Sequence, residues 1–316
     1  MDAEYERAGS VISFLRNQLG LTQEKLCDGI MDRSYLSRLE TGDSIVNKKT
    51  MDALLNRLGY LGKRFYTYAL SASEFEVYEM RDELAMTLDI PDIENAARII
   101  GLMSRYPQFK QGLHKQFLLK SKAALCLKMC EDTNLAQNYL TEAIHITLPE
   151  FSERFIGKYL LTTDDIEIIA MMAQIHDMND RHEEAINLFG KLAESIRNRY
   201  IDAYEKTRLL SLVLYELSTC LINAGKYTDA LKLCDEAAYA CQKNKVYGVL
   251  PMLLANKSTC LYALDKQGNL NEIKDLLNQA YFTSIAFGRY AYAAHVREYA
   301  STHCEVNIGL SPICED

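Results

Sequence analysis

The sequence predicts an all-α chain in two parts: a five-helix head over residues 1–70 and a solenoid of stacked helical hairpins over residues 71–308, followed by a short tail at 309–316. Three observations carry this expectation. From Glu74 onward apolar residues recur at helical spacing, and the alternation of a half-buried strand is absent. All five prolines lie outside the head, at positions 91, 107, 149, 251 and 312. A pattern of small and apolar residues recurs at intervals of 43–45 residues through the second part.

Within the head, Leu21–Gly42, LTQEKLCDGIMDRSYLSRLETG, spells two short amphipathic helices and a tight turn. Thr22 is placed to cap the first, Glu24, Lys25, Leu26 and Cys27 carry it, and Gly29 gives the turn its permissive backbone. Asp32 caps the second helix and Gly42 stops it. Leu36 and Leu39 share one face of that helix, leaving Arg33, Ser34, Ser37 and Arg38 on the other. A preceding helix near Ala8–Leu19 is expected to bury Val11, Ile12, Leu15 and Leu19, and a fourth near Lys49–Leu58 to bury Met51, Leu54, Leu55 and Leu58. Gly20 and Gly59 end those two helices, and a fifth near Gly62–Ala69 closes the core with Phe65 and Leu70.

These features read as a helix-turn-helix that docks its second helix in a DNA major groove. Arginine carries a fork of donors that matches guanine O6 and N7, and a serine hydroxyl serves either phosphate or base. Lys48 and Lys49, with the free amides at the start of the fourth helix, form a candidate phosphate clamp. Residues 8–59 resemble the helix-turn-helix of the phage-repressor and Xre type. The resemblance implies a phosphate contact for Gln23, base reading by Arg33, Ser34 and Arg38, and a scaffold pair between Arg16 and Glu40. The turn is one residue shorter than the commonest form, and Asp43 stands where a basic residue is usual.

The net charge of −8 divides unevenly, with ten Lys and Arg against nine Asp and Glu in residues 1–70 and the acid concentrated beyond. A nearly neutral head must rely on where a few cations sit, doubled by dimerisation, and not on a broad basic field. No basic, apolar and small-residue leader pattern stands at the N-terminus, and no apolar run spans a bilayer, so a cytoplasmic protein with no membrane partner is expected. The nine cysteines, at 27, 126, 130, 220, 234, 241, 260, 304 and 314, mostly occupy apolar helix positions and read as reduced core thiols. Cys126 and Cys130 stand four apart without a third ligand at metal spacing, so neither metal nor cofactor is expected.

In the second part GKYTDALKLCDEA (Gly225–Ala237) aligns with DRHEEAINLFGKL (Asp180–Leu192) and GNLNEIKDLLNQA (Gly268–Ala280). An earlier copy is DTNLAQNYLTEA (Asp132–Ala143), and PDIENAARIIGLM (Pro91–Met103) is a weaker one. Apolar helices precede them at about 74–88, 113–130, 164–178, 206–223 and 249–266. The pattern resembles the tetratricopeptide repeat, in which small residues let paired helices approach, although the interval exceeds the usual 34 residues. Such stacks bind extended segments on a concave surface made by the first helix of each pair. The repeat pattern turns Ser121, Gln174, Tyr215, Thr219 and Asn223 inward, with Asn256 and Tyr262 in the next helix. Amides and phenols of this kind suit a peptide backbone, because Asn and Gln donate and accept at once. A final helix near Ala291–Cys304 goes with a run of aromatic residues, Tyr281, Phe282, Phe287, Tyr290, Tyr292 and Tyr299, a density that favours burial in a dimer.

A reading head followed by such repeats resembles, over essentially the full length, the peptide-sensing bacterial regulators of the RRNPP group, of the Rgg, PlcR and PrgX kind. The resemblance implies a homodimeric transcription factor on double-stranded operator DNA, controlled by a short signalling peptide. Two alternatives stand beside it. In a phage-type repressor or antitoxin-like regulator the repeats would hold a protein partner. A repeat-domain phosphatase would need chemistry near His176, Asp177, Asp180 and His182, but no oriented nucleophile or phosphate loop accompanies them, and they read as exposed turn residues.

Overall fold

A computed structural model describes residues 9, 12–59, 72–89, 92–129 and 132–309, and among these the regular structure is helical with no strand. The chain forms two compact units, Met1–Ile175 with Asn198–Asp202, and His176–Arg197 with Ala203–Asp316.

The first unit begins with the head. Helix α1 lies at 12–18, α2 at Gln23–Cys27, α3 at Arg33–Thr41 and α4 at Lys48–Arg57. The anticipated caps are present: Thr22 Oγ1 accepts from the Lys25 amide at 3.1 Å, and Asp32 Oδ1 from the Ser34 amide at 2.8 Å. Each satisfies a backbone donor that the helix leaves unpaired. Gly42 ends α3 at φ +84°, with its amide on Leu39 O and the next on Arg38 O. The start of α4 is one residue earlier than expected, because Asn47 caps it through the Thr50 amide. Ile12, Leu15, Leu26, Leu36, Leu39, Met51, Leu54, Leu55 and Leu58 form the core, with Leu19 partly buried against it. Val11 and the expected fifth helix with Phe65 and Leu70 lie outside the described residues.

Two hairpins and the start of a third complete this unit: α5 (Ala72–Asp89) with α6 (Ile93–Met103), α7 (Gly112–Met129) with α8 (Thr133–Thr147), then α9 (Thr163–Met178), which leaves the unit after Ile175. Short 3-10 turns at Pro107–Lys110 and Glu153–Lys158 lengthen the connections between the helices of this unit. Asp92 and Asp132 cap α6 and α8.

The head is fastened to these hairpins by polar groups. Gly29, at φ +66°, turns the chain between α2 and α3 and also lets the Thr147 carbonyl come so close that a Cβ would collide with it. Arg57 is buried and donates to the carbonyls of Leu26 and Asp28. Asn56 Oδ1 accepts from both the amide and the hydroxyl of Thr163, at 2.9 and 3.0 Å. Behind them the buried Asp165 carboxylate takes Thr147 Oγ1 at 2.5 Å, Gln116 Nε2 at 2.9 Å and the Thr162 amide at 2.7 Å. A charge in the interior requires such compensation.

The second unit contains α10 (His182–Arg197), α11 (Ala203–Asn223), α12 (Tyr227–Asn244), α13 (Leu250–Ala286) and α14 (Tyr290–Thr302), each packed on the next. As the small-residue pattern predicts, Ala230, Cys234, Ala237, Ala238 and Cys241 form the buried face of α12. The break expected at about residue 266 falls at Asp265, where φ −159° and ψ 92° interrupt α13 and the carboxylate accepts the Gly268 amide at 3.0 Å. All seven described cysteines are buried and outside any disulfide, while Cys130 and Cys314 fall outside the described residues.

His114 in α7 makes a pH dependence explicit. It is buried beside Phe109 and Tyr78, with Arg81 Nη1 at 3.3 Å, and its pKa is pushed down to about 3 by burial first and then by Arg81, Lys49 and Lys48, against Asp164. A histidine held neutral in the fold but free to protonate on unfolding favours unfolding as pH falls below its ordinary value. Stability is therefore full above about pH 6.5 and erodes toward the depressed value. Urea titrations are expected to show lower stability in mild acid than at neutral pH, with a smaller loss in His114→Leu; equal losses in both proteins would contradict the assignment.

Candidate functional site

Two arrangements of side chains stand out, one on α3 and one on α11, α13 and α14. On the first, the predicted scaffold pair is formed: Arg16 Nε and Nη2 hold Glu40 Oε1 and Oε2 at 2.6 and 2.8 Å. Gln23 Nε2 donates to the same Glu40 at 2.9 Å, and Arg16 Nη1 donates to Leu21 O. One carboxylate thus joins α1, α2 and α3, and fixes the angle at which α3 leaves the head. Burial alone would raise the Glu40 carboxyl, but Arg16 and Gln23 hold it below the usual range.

With α3 so held, Arg33, Ser34 and Arg38 are exposed and Ser37 is half-buried. Arg33 Nη1 reaches Glu24 on α2 at 3.0 Å. Ser34 Oγ donates to Asp32 Oδ1 at 2.5 Å, which keeps the hydroxyl at the helix start. The Arg38 guanidinium stands over the Tyr35 ring, 4.7 Å from its centre. Tyr35, 42% exposed, lies on the shoulder of the same face and was absent from the expected set. Its place three residues before Arg38, one turn along the same helix, was the available signal. Lys48 and Lys49 turn toward the hairpins: Lys48 pairs with Asp52 at 2.6 Å over the Tyr78 ring, and Lys49 Nζ lies 3.5 Å from Gln111 O. Burial, then Arg81, lowers the Lys49 pKa.

The second arrangement is a polar relay between first helices of successive pairs. Asn256 Nδ2 on α13 donates to Ser218 Oγ and Thr219 Oγ1 on α11, both at 2.9 Å. One turn along α13, Thr259 Oγ1 donates to the Tyr299 hydroxyl of α14 at 2.9 Å. Tyr215, Tyr262 and Tyr292 are half-buried on the same three helices, and burial pushes the Tyr215 and Tyr299 phenols up to about 12. Ser218, Thr259 and Tyr299 were not anticipated, although Thr259 stands three residues beyond Asn256 and so shares its face.

Asn223 departs from this group, donating to Asp177 Oδ2 at 2.8 Å. Gln174 is half-buried on α9, and Ser121 is buried with its hydroxyl on Phe117 O. The exposure expected of the 176–182 cluster holds for Asp180 but not for His176 and Asp177, whose side chains are each only 13% exposed. The reason is local. Asp177 is enclosed by His182 Nδ1 at 2.7 Å and by Asn223, and His176 lies against Glu184.

The Glu40 lock yields a direct expectation. Glu40→Ala removes one partner of a largely buried ion pair and should lower stability by about 2–3 kcal/mol at neutral pH in urea titration. A depressed carboxyl loses its contribution as pH falls through its folded value, so the gap between wild type and variant should narrow in acid. A gap below about 0.5 kcal/mol at neutral pH would show that the lock carries no weight.

Residues 12–61 match the helix-turn-helix family model. No curated protein sequence matches the chain. Among solved structures, PlcR of Bacillus thuringiensis in complex with the peptide PapR7 and DNA is similar at TM-score 0.62 and 17% identity, covering 92% of this chain and 99% of that one. The apo form of the competence regulator ComR from Streptococcus vestibularis is similar at TM-score 0.52 and 16% identity, covering 96% and 100%. The same regulator in complex with its cognate signalling peptide XIP gives TM-score 0.51 at 16% identity, again covering 96% and 100%. Residues 12–61 are thus a helix-turn-helix domain, and the chain has over nearly its full length the fold of PlcR and ComR.

Proposed function

We propose that this protein is a cytoplasmic transcription regulator that reads operator DNA as a homodimer through α3 and is controlled by a short signalling peptide. The observation that carries the reading is the exposed face of α3, with Arg33, Ser34 and Arg38 presented from a capped helix whose angle is locked by Glu40. Arg38 reads a base, Gln23 and Ser37 border the backbone, and Lys49 leaves the Gln111 carbonyl to meet a phosphate, whereas Lys48, paired with Asp52 and covered by the Tyr78 ring, is withdrawn from that role. The fold shared with PlcR, solved with both a peptide and DNA, supports the pairing of these two inputs in one chain. Among the described residues no acid–base or nucleophile constellation argues for an enzyme.

The peptide is assigned to the polar side chains of the second unit, Tyr215, Thr219, Asn256 and Tyr262. Asn256 is the central residue, because its amide already orders two hydroxyl groups and retains a carbonyl oxygen as acceptor for a peptide N–H. Thermal unfolding against synthetic peptides of about five to ten residues tests this, since a native-state ligand at 100 times its Kd adds about 2.7 kcal/mol. One such peptide is expected to raise the melting temperature of wild type, and Asn256→Ala to abolish the rise while leaving DNA binding intact. Equal peptide affinity in the variant would remove Asn256 from the site. No shift with any peptide would favour a protein partner for the repeats.

The DNA reading has its own test in the full-length chain, with duplexes enriched from a random pool. Arg38→Ala should cost about 1–3 kcal/mol on the enriched sequence and relax preference at one base pair. Lys49→Ala should weaken all duplexes alike and reduce the salt slope by about one. Uniform loss on all sequences for Arg38→Ala would make it a phosphate contact, and an unchanged slope for Lys49→Ala would leave that lysine with Gln111.

A further inference from the structure

We infer that Tyr35 is a specificity-determining residue, its ring holding Arg38 on one side and meeting the C5-methyl group of a pyrimidine beside the guanine that Arg38 reads. The inference rests on the proposed DNA reading and adds the base step that α3 recognises.

The two arginines of the face are held in different ways. Arg33 gives an N–H to Glu24, so part of its donor fork is engaged within the head. Arg38 is held by the Tyr35 ring, which meets the guanidinium through its face and engages none of the in-plane N–H donors. Arg38 is thereby ordered while keeping its donor fork for guanine O6 and N7.

Tyr35 itself is 42% exposed on a helix whose other large apolar residues, Leu36 and Leu39, are buried. An aromatic ring left in water on a reading face gains when another apolar group covers it. The apolar group offered by a major groove is the pyrimidine C5-methyl. Spacing agrees. Residues 35 and 38 are three apart, a rise of about 4.5 Å along α3, close to the ~3.4 Å between successive base pairs. When Arg38 stands opposite a guanine, Tyr35 stands opposite the neighbouring pair. The half-site read by α3 therefore contains a G·C pair next to a pair bearing a pyrimidine methyl, which thymine supplies in ordinary DNA.

The test uses the full-length protein and duplexes enriched from a pool with a randomised core. The enriched site is expected to contain thymine adjacent to guanine. Replacing that thymine by deoxyuridine removes only the methyl and should weaken wild type about fourfold, the equivalent of one buried carbon. Tyr35→Ala should bind thymine and deoxyuridine duplexes equally, while Tyr35→Phe should keep the difference, because the ring and not the hydroxyl meets the methyl. At the same position 5-methylcytosine should bind tighter than cytosine, and equal binding of the two would count against a methyl contact. Unchanged thermal melting of both variants confirms that the fold is retained, as exposure of Tyr35 requires. Equal wild-type affinity for thymine and deoxyuridine, or a deoxyuridine penalty that persists in Tyr35→Ala, would overturn the inference while leaving DNA binding in place. Failure to enrich any duplex would overturn the DNA reading and this inference together.

Discussion

The orientation of α3 depends on a single carboxylate. Glu40 takes two hydrogen bonds from Arg16 and one from Gln23, so α1, α2 and α3 meet at one charged point on the edge of a leucine-rich core. Apolar packing would hold α3 against the head but leave its rotation about its own axis loosely defined, because dispersion and burial are not directional. A bidentate pair is directional. Rotation matters to the proposed DNA reading, because a base edge is met only if Arg38 is aimed, and the ring beneath it is part of the same helix. Gln23 therefore has a structural partner as well as the phosphate role that the resemblance implies.

The same division of labour recurs elsewhere in the chain. In the first unit apolar side chains form the core, while the Asn56–Thr163 contacts and the close approach of Gly29 to the Thr147 carbonyl set how the head meets the hairpins, with Asp165, Gln116 and Thr147 joining the hairpins behind them. In the second unit small residues bring α12 against its neighbours, and Asn256 with Ser218 and Thr219 sets the spacing of first helices. A site assembled from such residues responds to occupancy, because a ligand that competes for one hydroxyl changes the partners of its neighbours. Coupling of this type requires differential affinity between two arrangements of the protein.

Local chemistry explains what could be read before any coordinates. The caps Thr22 and Asp32, the stop at Gly42 and the leucine spacing of α3 each act within a few residues, and each is where the sequence places it. The hairpins were legible for the same reason, since small residues recur at fixed offsets along one helix face. What escaped was contact at long range or local competition. At the break of α13 it is the Asp265 carboxylate that caps the next turn through the Gly268 amide. His176 and Asp177 were expected in solvent, yet partners on α10 and α11 enclose them. Tyr35 was not among the expected residues, and the fold shows its ring supporting Arg38 from outside.

The central claim is that one chain couples a peptide to a DNA site, and reciprocal titration measures that coupling most directly. The affinity of the full-length protein for its enriched duplex is determined with and without the stabilising peptide, and the affinity for the peptide with and without the duplex. The account predicts that each ligand changes the other's Kd by the same factor, on the order of 5–150-fold. Unchanged affinities in both directions, with both ligands bound, would contradict it.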